Sequence, residues 1–399
     1  MYSQNQVGYP AIYLKPGRER SLSKGHPWVF SGAMAKIDPQ LKSGDIAGIW
    51  TAEGKPLGLG FFHSSADIAF RLLTRDVHVR IDKDFWLDRL HHAISLRNQV
   101  IPPKTNAYRL INAEGDGFPG LVVDRYGEFL VVEVGTAGME KQLQTILEIL
   151  IQCLAPRGIL ERSESKSRHR EGLPDRVQIH YGQISNEVVE ILENGLSFRV
   201  NIMKGQKTGF FLDQRENRAL VASLARGKNV LNCFSYTGAF SVYAIQGGAK
   251  KVVSVESSAS ANVLAKENFL QNAISPEMHP ILEADVFEFL RNTDETFDVI
   301  ILDPPAFAKS KNDLKKAVRG YKDINFYAGK RLAKGGWLFT FSCSNFVDEA
   351  LFQSIVLSGL NDAKREAQLL ARLGPGPDHP TLLGHPEGRY LKGLLVRVW

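Results

Sequence analysis

Cys343 closes an apolar run, Gly336-Trp-Leu-Phe-Thr-Phe341-Ser342-Cys343-Ser344-Asn345, and a thiol at such a strand end is a candidate nucleophile. A helix N-terminus after it and nearby Lys or Arg would lower its pKa and raise its thiolate fraction. The bland alternative, a cysteine that packs as a small hydrophobe, stays open at this point. Cys153 follows an apolar helix and reads as buried filler, and Cys233 lies inside a strand. Asp303 ends a second apolar run, Asp298-Val-Ile-Ile-Leu302-Asp303-Pro304-Pro305. Two prolines stiffen that exit by fixing φ and removing donors, which is expected to hold Asp303 at the sheet edge above a ligand crevice.

A third strand end, Asn232-Cys-Phe234-Ser235-Tyr236-Thr237-Gly238, opens into a turn with Gly238 at a helix start. Unpaired N–H groups there can receive a carboxylate or a phosphate. The G-x-G-x-x-G dinucleotide fingerprint is absent, so a pyrophosphate has little room, whereas a methionine-type carboxylate needs less. The next strand, Lys251–Glu256, ends in an acid 24 positions after Asn232, suited to a ribose diol. The pair points to a nucleoside cofactor, against the alternative of a helix cap and a surface acid. Gly205-Gln-Lys-Thr208 lacks the spacing of a phosphate-binding Walker loop. No metal site is expected, since there is no Cys-x-x-Cys and His91 and His92 are adjacent.

These strand ends need a sheet to position them. From about residue 190 strands and helices alternate: strands at Leu196–Ile202, Val230–Phe234, Lys251–Glu256, Val299–Asp303 and Trp337–Ser342, helices at Leu212–Ala225, Gly238–Gln246, Ser258–Gln271, Ile324–Leu332 and Glu349–Leu357. Such alternation predicts an α/β domain with a mostly parallel, doubly wound sheet, which places ligands beyond the carboxyl ends of the strands. Leu391–Trp399 reads as a last strand at the sheet edge, with antiparallel pairing open. Residues 1–75 are β-rich, with short apolar runs at Ile46–Trp50, Leu57–Phe61 and Ile68–Leu72. Residues 76–190 read as a small α/β unit with helices over Asp84–Gln99 and Met139–Gln152. The division is therefore 1–75, 76–190 and 191–399.

The chain has 399 residues, 44% of them apolar and 23% charged, enough for a large core. Three cysteines exclude a disulfide-built scaffold. With no long apolar run and no leader-like N-terminus, no membrane partner is expected and the cytoplasm is the expected location. The net charge of +6 is unevenly spread. Residues 1–75 carry nine Lys and Arg against five Asp and Glu, and Pro304–Lys334 carries nine against two. A basic segment beside Asp303 suits a polyanionic substrate such as RNA. Three basic places are candidate RNA contacts: Lys24, His26, Trp28 and Phe30; Arg162, Lys166 and Arg168 in a loop; and Lys309 and Lys311 after the prolines. For each, a solvated surface is the competing reading.

Taken together, these segments resemble the class I methyltransferases that use S-adenosylmethionine, and within them the large-subunit ribosomal RNA enzymes that make 5-methylcytosine in 23S rRNA. The most specific motifs are Gly205-Gln-Lys-Thr-Gly-Phe-Phe-Leu-Asp213-Gln214-Arg215, Asn232–Gly238, Asp303-Pro-Pro-Ala-Phe307 and Phe341-Ser-Cys343-Ser. The resemblance implies an N-terminal PUA β-barrel carrying an RNA surface at Lys24–Phe30, a small α/β middle domain and a Rossmann-like methyltransferase domain. It implies that Asn232–Gly238 holds the methionine part of S-adenosyl-L-methionine and Glu256 the ribose. Asp285 would approach the adenine amine, Val286 would pack on the ring, and Asp213, Gln214 and Arg215 would close the site. Cys343 would add to carbon 6 of cytosine and make carbon 5 nucleophilic, with Asp303 on the N3/N4 edge. Many related RNA enzymes carry a second cysteine that assists release; here Pro305 stands in its place, and another group or water must serve. Domains with similar motifs but no cysteine at the place of Cys343 methylate guanine N7, so that residue separates the two chemistries. A non-catalytic RNA-binding or ribosome-assembly role is the further alternative. The expected substrate is 23S rRNA, naked or in a large-subunit assembly intermediate, because the base must be accessible. No feature demands an oligomer, and a homodimer is left open.

Overall fold

Apolar runs bounded by glycine turns become strands at the start of the chain. The computed structural model describes residues 8–308 and 310–399. It divides into two units: residues up to Val189 with Asn201–Phe210 and Pro377–Gly388, and Glu190–Val200 with Phe211–Gly376 and Arg389–Trp399.

In the first unit a six-stranded sheet runs in the order Trp28–Phe30, Ile68–Thr74, Pro56–Phe62, Ile46–Trp50, Ala11–Leu14 and Met34–Ile37. Its pairings are antiparallel except for Ala11–Leu14 beside Ile46–Trp50. A five-stranded sheet follows, ordered Arg176–Gly182, Gly158–Ser163, Phe129–Val134, Leu121–Tyr126 and Ala107–Asn112. The helices Lys83–Val100 and Ala137–Leu154 start where Asp82 and Thr136 accept from the backbone N–H three residues on. One apolar core joins both sheets: Leu59, Phe61 and Leu73 pack with Trp86, Phe118, Val132 and Ile146. Residues 377–388 belong here through Asp378, whose carbonyl accepts from buried Arg97 at 2.8 Å.

The second unit holds the doubly wound sheet. Its strands are β1 (Asn229–Cys233), β2 (Lys251–Glu256), β3 (Ile281–Glu283), β4 (Phe297–Leu302), β5 (Leu332–Ser342), β6 (Ala367–Leu373) and β7 (Lys392–Val398), in spatial order 3-2-1-4-5-7-6. Strands β1 to β5 pair in parallel, and β7 is antiparallel to both β5 and β6. The helices are α1 (Arg215–Leu224), α2 (Ala239–Gln246), α3 (Ala259–Gln271), α4 (Val286–Asn292), α5 (Leu314–Arg331) and α6 (Glu349–Asp362). Central strands read as largely apolar runs because both faces are covered, by Val221, Phe240 and Ala244 on one side and Tyr321, Ile324 and Phe352 on the other. The switch in strand order falls between β1 and β4, where the crevice of such a sheet lies.

The Rossmann-like sheet and the PUA-like sheet match the expected fold class. Several expectations need correction. The last strand, β7, is not at the edge but lies between β5 and β6; the edge strand is β6, which the sequence reading passed over. Asp303 and Cys343 therefore follow interior strands, at their carboxyl ends, and not the sheet edge. The helix expected at Ile324–Leu332 begins a full ten residues earlier, at Leu314, because Ala317 and Tyr321 extend its buried stripe. The basic "loop" at 162–170 contains a helical turn, Lys166–Arg170. Among the described residues no helix is long and apolar enough to cross a membrane.

Candidate functional site

Parallel strands deliver their last residues to one end of the sheet, and there the chemistry-bearing side chains of the second unit gather. After β1 the backbone turns through positive φ at alternate residues: Phe234 at 57°, Tyr236 at 48° and Gly238 at 76°. Only glycine takes such angles without strain, so the first two are held by their surroundings. Phe234 packs edge-on against Phe287 and Phe307, with centroids 6.3 and 6.4 Å away. The Tyr236 amide donates to Glu256 Oε2 at 3.0 Å. Gly238 caps α2, and a Cβ there would press on Ala265 and Phe269 at 3.2 Å. Asn268 on α3 donates to the Thr237 carbonyl at 2.9 Å, and Asn262 donates to the Glu256 carbonyl at 3.0 Å. These two buried asparagines were missed in sequence. Their signal was polar residues on the apolar stripe of Ala261, Ala265 and Phe269.

The turn keeps polar atoms in reserve. Asn232 donates to Ser241 Oγ at 2.9 Å, and Ser241 in turn shares a hydrogen bond of 2.7 Å with Ser254. Asn232 Oδ1, Ser235 Oγ and Thr237 Oγ1 are buried and meet no hydrogen-bond partner among the described residues. Buried polar groups without partners are costly unless a ligand or water supplies them. Glu256 ends β2 with Oε1 accepting from the Ser258 amide at 2.9 Å. Asp285 Oδ1 accepts from the Glu288 amide at 2.9 Å and so caps α4, while Val286 behind it is buried. A nucleoside with an amino-acid arm fits this set: donors and orphan acceptors at the β1 turn, an acid at β2, an apolar wall at Val286.

Asp213 and Gln214 form a 3-10 turn just before α1, rather than part of the helix itself. Asp213 Oδ2 accepts from the Tyr390 hydroxyl at 2.6 Å, and its carbonyl accepts from the Gly376 amide at 3.0 Å. Gln214 Nε2 donates to Asp303 Oδ2 at 3.0 Å, and its Oε1 accepts from Asn217 at 2.6 Å. Arg215 is wholly buried, with Nε on Glu216 at 3.0 Å. Tyr390 and Gly376 escaped the sequence reading because only the fold brings them to residue 213.

Cys343 follows β5, half-buried, with its thiol 3.9 Å from the Pro304 carbonyl. Both flanking serines are fully buried. Ser342 Oγ donates to the Tyr321 hydroxyl at 3.0 Å, that hydroxyl lies 2.9 Å from Ser344 Oγ, and the Ala308 amide donates to Ser344 Oγ at 3.2 Å. Burial pushes the Tyr321 phenol up, so it stays protonated at neutral pH. The Cys343 turn is thus pinned on both sides to the proline loop and to α5. The helix after Cys343, α6, starts at Glu349, six residues further on. The other thiols are unsuited to attack. Burial pushes both Cys233, at the core end of β1, and Cys153 upward.

The expected RNA contacts separate into two groups. Lys24, Phe30 and Lys166 are exposed, Phe30 at 51%. His26 and Trp28 are engaged within the first unit: His26 Nε2 is 3.1 Å from Glu387, and Trp28 Nε1 donates to Glu114 at 2.8 Å with Arg71 over its ring. Arg162 donates to the carbonyls of Ile202 and Gly205. Arg168, expected on the surface, is a core residue at 0% exposure, bonded to the carbonyls of Val134 and Pro174 and to Glu140 at 2.8 Å. Its charge is spent internally, so it is no surface contact. Lys309 and the side chain of Lys311 lie outside the described residues. Among the described residues no group of three His, Cys, Asp or Glu is placed to hold a metal ion.

Comparison with known proteins agrees with this geometry. Residues 122–397 match the model of the S-adenosylmethionine-dependent methyltransferase family, and residues 12–75 match a PUA-like domain. Ribosomal RNA large subunit methyltransferase I of Aeromonas hydrophila is 45% identical over 393 residues, covering 97% of this chain and 99% of its own. The protein of that name from Shewanella frigidimarina is 43% identical over 395 residues, with 97% and 99% covered. Among solved structures, an S-adenosylmethionine-dependent methyltransferase from Streptococcus mutans is 25% identical with a TM-score of 0.82, and a methyltransferase complexed with SAH is 25% identical with a TM-score of 0.84. Both comparisons cover 97% of this chain and 99% of the other.

Proposed function

This chain belongs to the S-adenosylmethionine-dependent methyltransferases, in the family of the ribosomal RNA large subunit methyltransferase I proteins, and from that premise we propose that it methylates carbon 5 of a cytosine in 23S rRNA. The enzyme uses S-adenosylmethionine, whose sulfonium-bound methyl group supplies the electrophile. Asn232, Ser235, Thr237 and the β1 turn hold the amino-acid arm, Glu256 the ribose, and Asp285 and Val286 the adenine. Asp213, Gln214 and Arg215 close the site from the α1 side.

The observation that carries the reading is Cys343, set 3.9 Å from the Pro304 carbonyl of the loop that Asp303 opens. Carbon 5 of cytosine is a weak nucleophile. When the Cys343 sulfur adds to carbon 6, the electron pair of the 5,6 double bond becomes available at carbon 5, which would form the new bond to the methyl group as the methyl–sulfur bond breaks and S-adenosylhomocysteine leaves. Asp303 hydrogen-bonds the N3/N4 edge of the base as charge develops there. Loss of the carbon-5 proton restores the double bond and expels the Cys343 sulfur. Pro305 cannot take that proton, so water or another group of the site does.

The base must leave its stack to meet Cys343, which favours naked or partly assembled large-subunit RNA in the cytoplasm. Residues 1–75, with Lys24 and Phe30, and 76–190, with Lys166, serve as RNA-holding parts; residues 191–399 perform the transfer. The test uses methyl-labelled S-adenosylmethionine and unmodified rRNA with wild type and Cys343→Ala. Wild type should yield labelled 5-methylcytidine and form a covalent complex with RNA carrying 5-fluorocytosine. The variant should do neither. Labelled 7-methylguanosine, or an active folded variant, overturns the proposal.

A further inference from the structure

A lysine sits inside the sheet where a neutral side chain would pack as well. Lys392 opens β7 directly opposite Ser342 in the antiparallel register with β5, and it is 5% exposed. Its Nζ donates to the Ser344 carbonyl at 2.8 Å. The amine therefore rests on the short turn that carries Cys343. Burying an ammonium costs several kcal/mol unless opposite charge repays it. The groups facing it are Cys343, then Glu349 and Asp348 at the start of α6, with Arg372 of β6 in the same recess. Both carboxylates are exposed and hence weakly coupled. Tyr321, whose hydroxyl bonds the serines on either side of Cys343, is held neutral. Burial pushes the Lys392 ammonium down from its usual range, and Cys343 is the foremost group pushing it back up.

We propose that Lys392 is the positioning residue of the nucleophile: its charge favours the thiolate of Cys343, and its hydrogen bond fixes the Ser344 carbonyl that sets the turn. It supplies beside the turn the positive charge that raises a thiol's thiolate fraction. The ionisation is simple: Cys343 loses its proton to water, and no bond to Lys392 forms or breaks. The inference rests on Cys343 being the nucleophile, as proposed above.

The test is alkylation of Cys343 by iodoacetamide in the full chain, followed peptide by peptide from about pH 5 to about pH 10. Lys392→Met fills similar volume without charge; Lys392→Arg keeps the charge. The midpoint should rise by about one pH unit in Lys392→Met, leaving roughly tenfold less thiolate at neutral pH, and should stay within a few tenths in Lys392→Arg. Methyl transfer by Lys392→Met should fall about tenfold at neutral pH and recover as pH rises, with S-adenosylmethionine affinity unchanged. Equal midpoints in wild type and a cofactor-binding Lys392→Met overturn the proposal. If Lys392→Met no longer binds cofactor, Lys392→Gln decides, since it removes the charge and keeps a donor for the Ser344 carbonyl. Its midpoint should rise likewise, and an unmoved or lowered midpoint overturns the proposal. The alkylation needs no RNA. A product other than 5-methylcytidine would thus unseat the function reading alone, and an unshifted midpoint beside labelled 5-methylcytidine would unseat this inference alone.

Discussion

Gln214 Nε2 reaches Asp303 Oδ2 at 3.0 Å and so ties the turn before α1 to the carboxyl end of β4. Asn217 fixes Gln214 in turn, at 2.6 Å, while it also donates to the Gly374 carbonyl at 3.0 Å. The carboxylate proposed to meet the base is thereby given a fixed partner. Gln214→Ala should lower kcat by about tenfold, the worth of one charge-assisted hydrogen bond, and leave the fold intact. Single-turnover methylation together with circular dichroism checks this; an unchanged kcat would show that Asp303 needs no such support.

Glu256 has two tasks, and substitutions can part them. It accepts from the Tyr236 and Ser258 amides, and it is the acid proposed for the ribose. Glu256→Ala should raise the S-adenosylmethionine Kd about tenfold to a hundredfold, because the strained turn also loses an anchor. Glu256→Gln should cost less. Calorimetry on both variants is the measurement, and equal affinity in wild type and Glu256→Ala would contradict the assignment.

Arg168→Ala should destabilise the first unit by about 3–5 kcal/mol, since it strips a buried charge from Glu140 and from two carbonyls. Urea unfolding reads this directly. A loss below about 1 kcal/mol would mean that water replaces the guanidinium.

RNA affinity should fall linearly with salt on a log–log plot, and Lys24→Ala and Lys166→Ala should each lower the slope by about one. Phe30→Ala should weaken binding by about 1–3 kcal/mol if it stacks on a base. Trp28→Ala should act on stability instead, because its indole is engaged by Glu114 and Arg71. Binding to rRNA fragments across a salt series distinguishes these outcomes. A slope unchanged in both lysine variants would remove them from the interface.

Much of this site was legible because strands announce themselves. Lys251–Glu256 and Phe297–Leu302 are largely apolar runs that stop at an acid, Glu256 and Asp303, and those stops mark the candidate site. What pattern cannot convey is neighbourhood. β7 has the composition of any buried strand, and nothing local tells that it enters between β5 and β6. The same blindness made Arg168 look like surface: its partners Val134 and Glu140 come from another strand and helix. Tyr390 and Lys392 were passed over for the same reason, although one holds Asp213 and the other the Cys343 turn. At seven residues α4 lacked the length that makes a helical period readable, and β6 is a largely exposed strand without a clear apolar run.

The place of β7 has a consequence for synthesis on the ribosome. Strand β5 is complete at Ser342, but its antiparallel neighbour arrives only with residues 392–398. Until then β5 presents an open row of amides and carbonyls, and β6, already made, lacks its partner β7. A nascent chain halted in that interval carries an unsatisfied strand edge, the kind of surface that recruits other chains into aggregates. The parallel half of the sheet can assemble as it emerges, whereas the thiol's side of it must wait for the last strand to thread in.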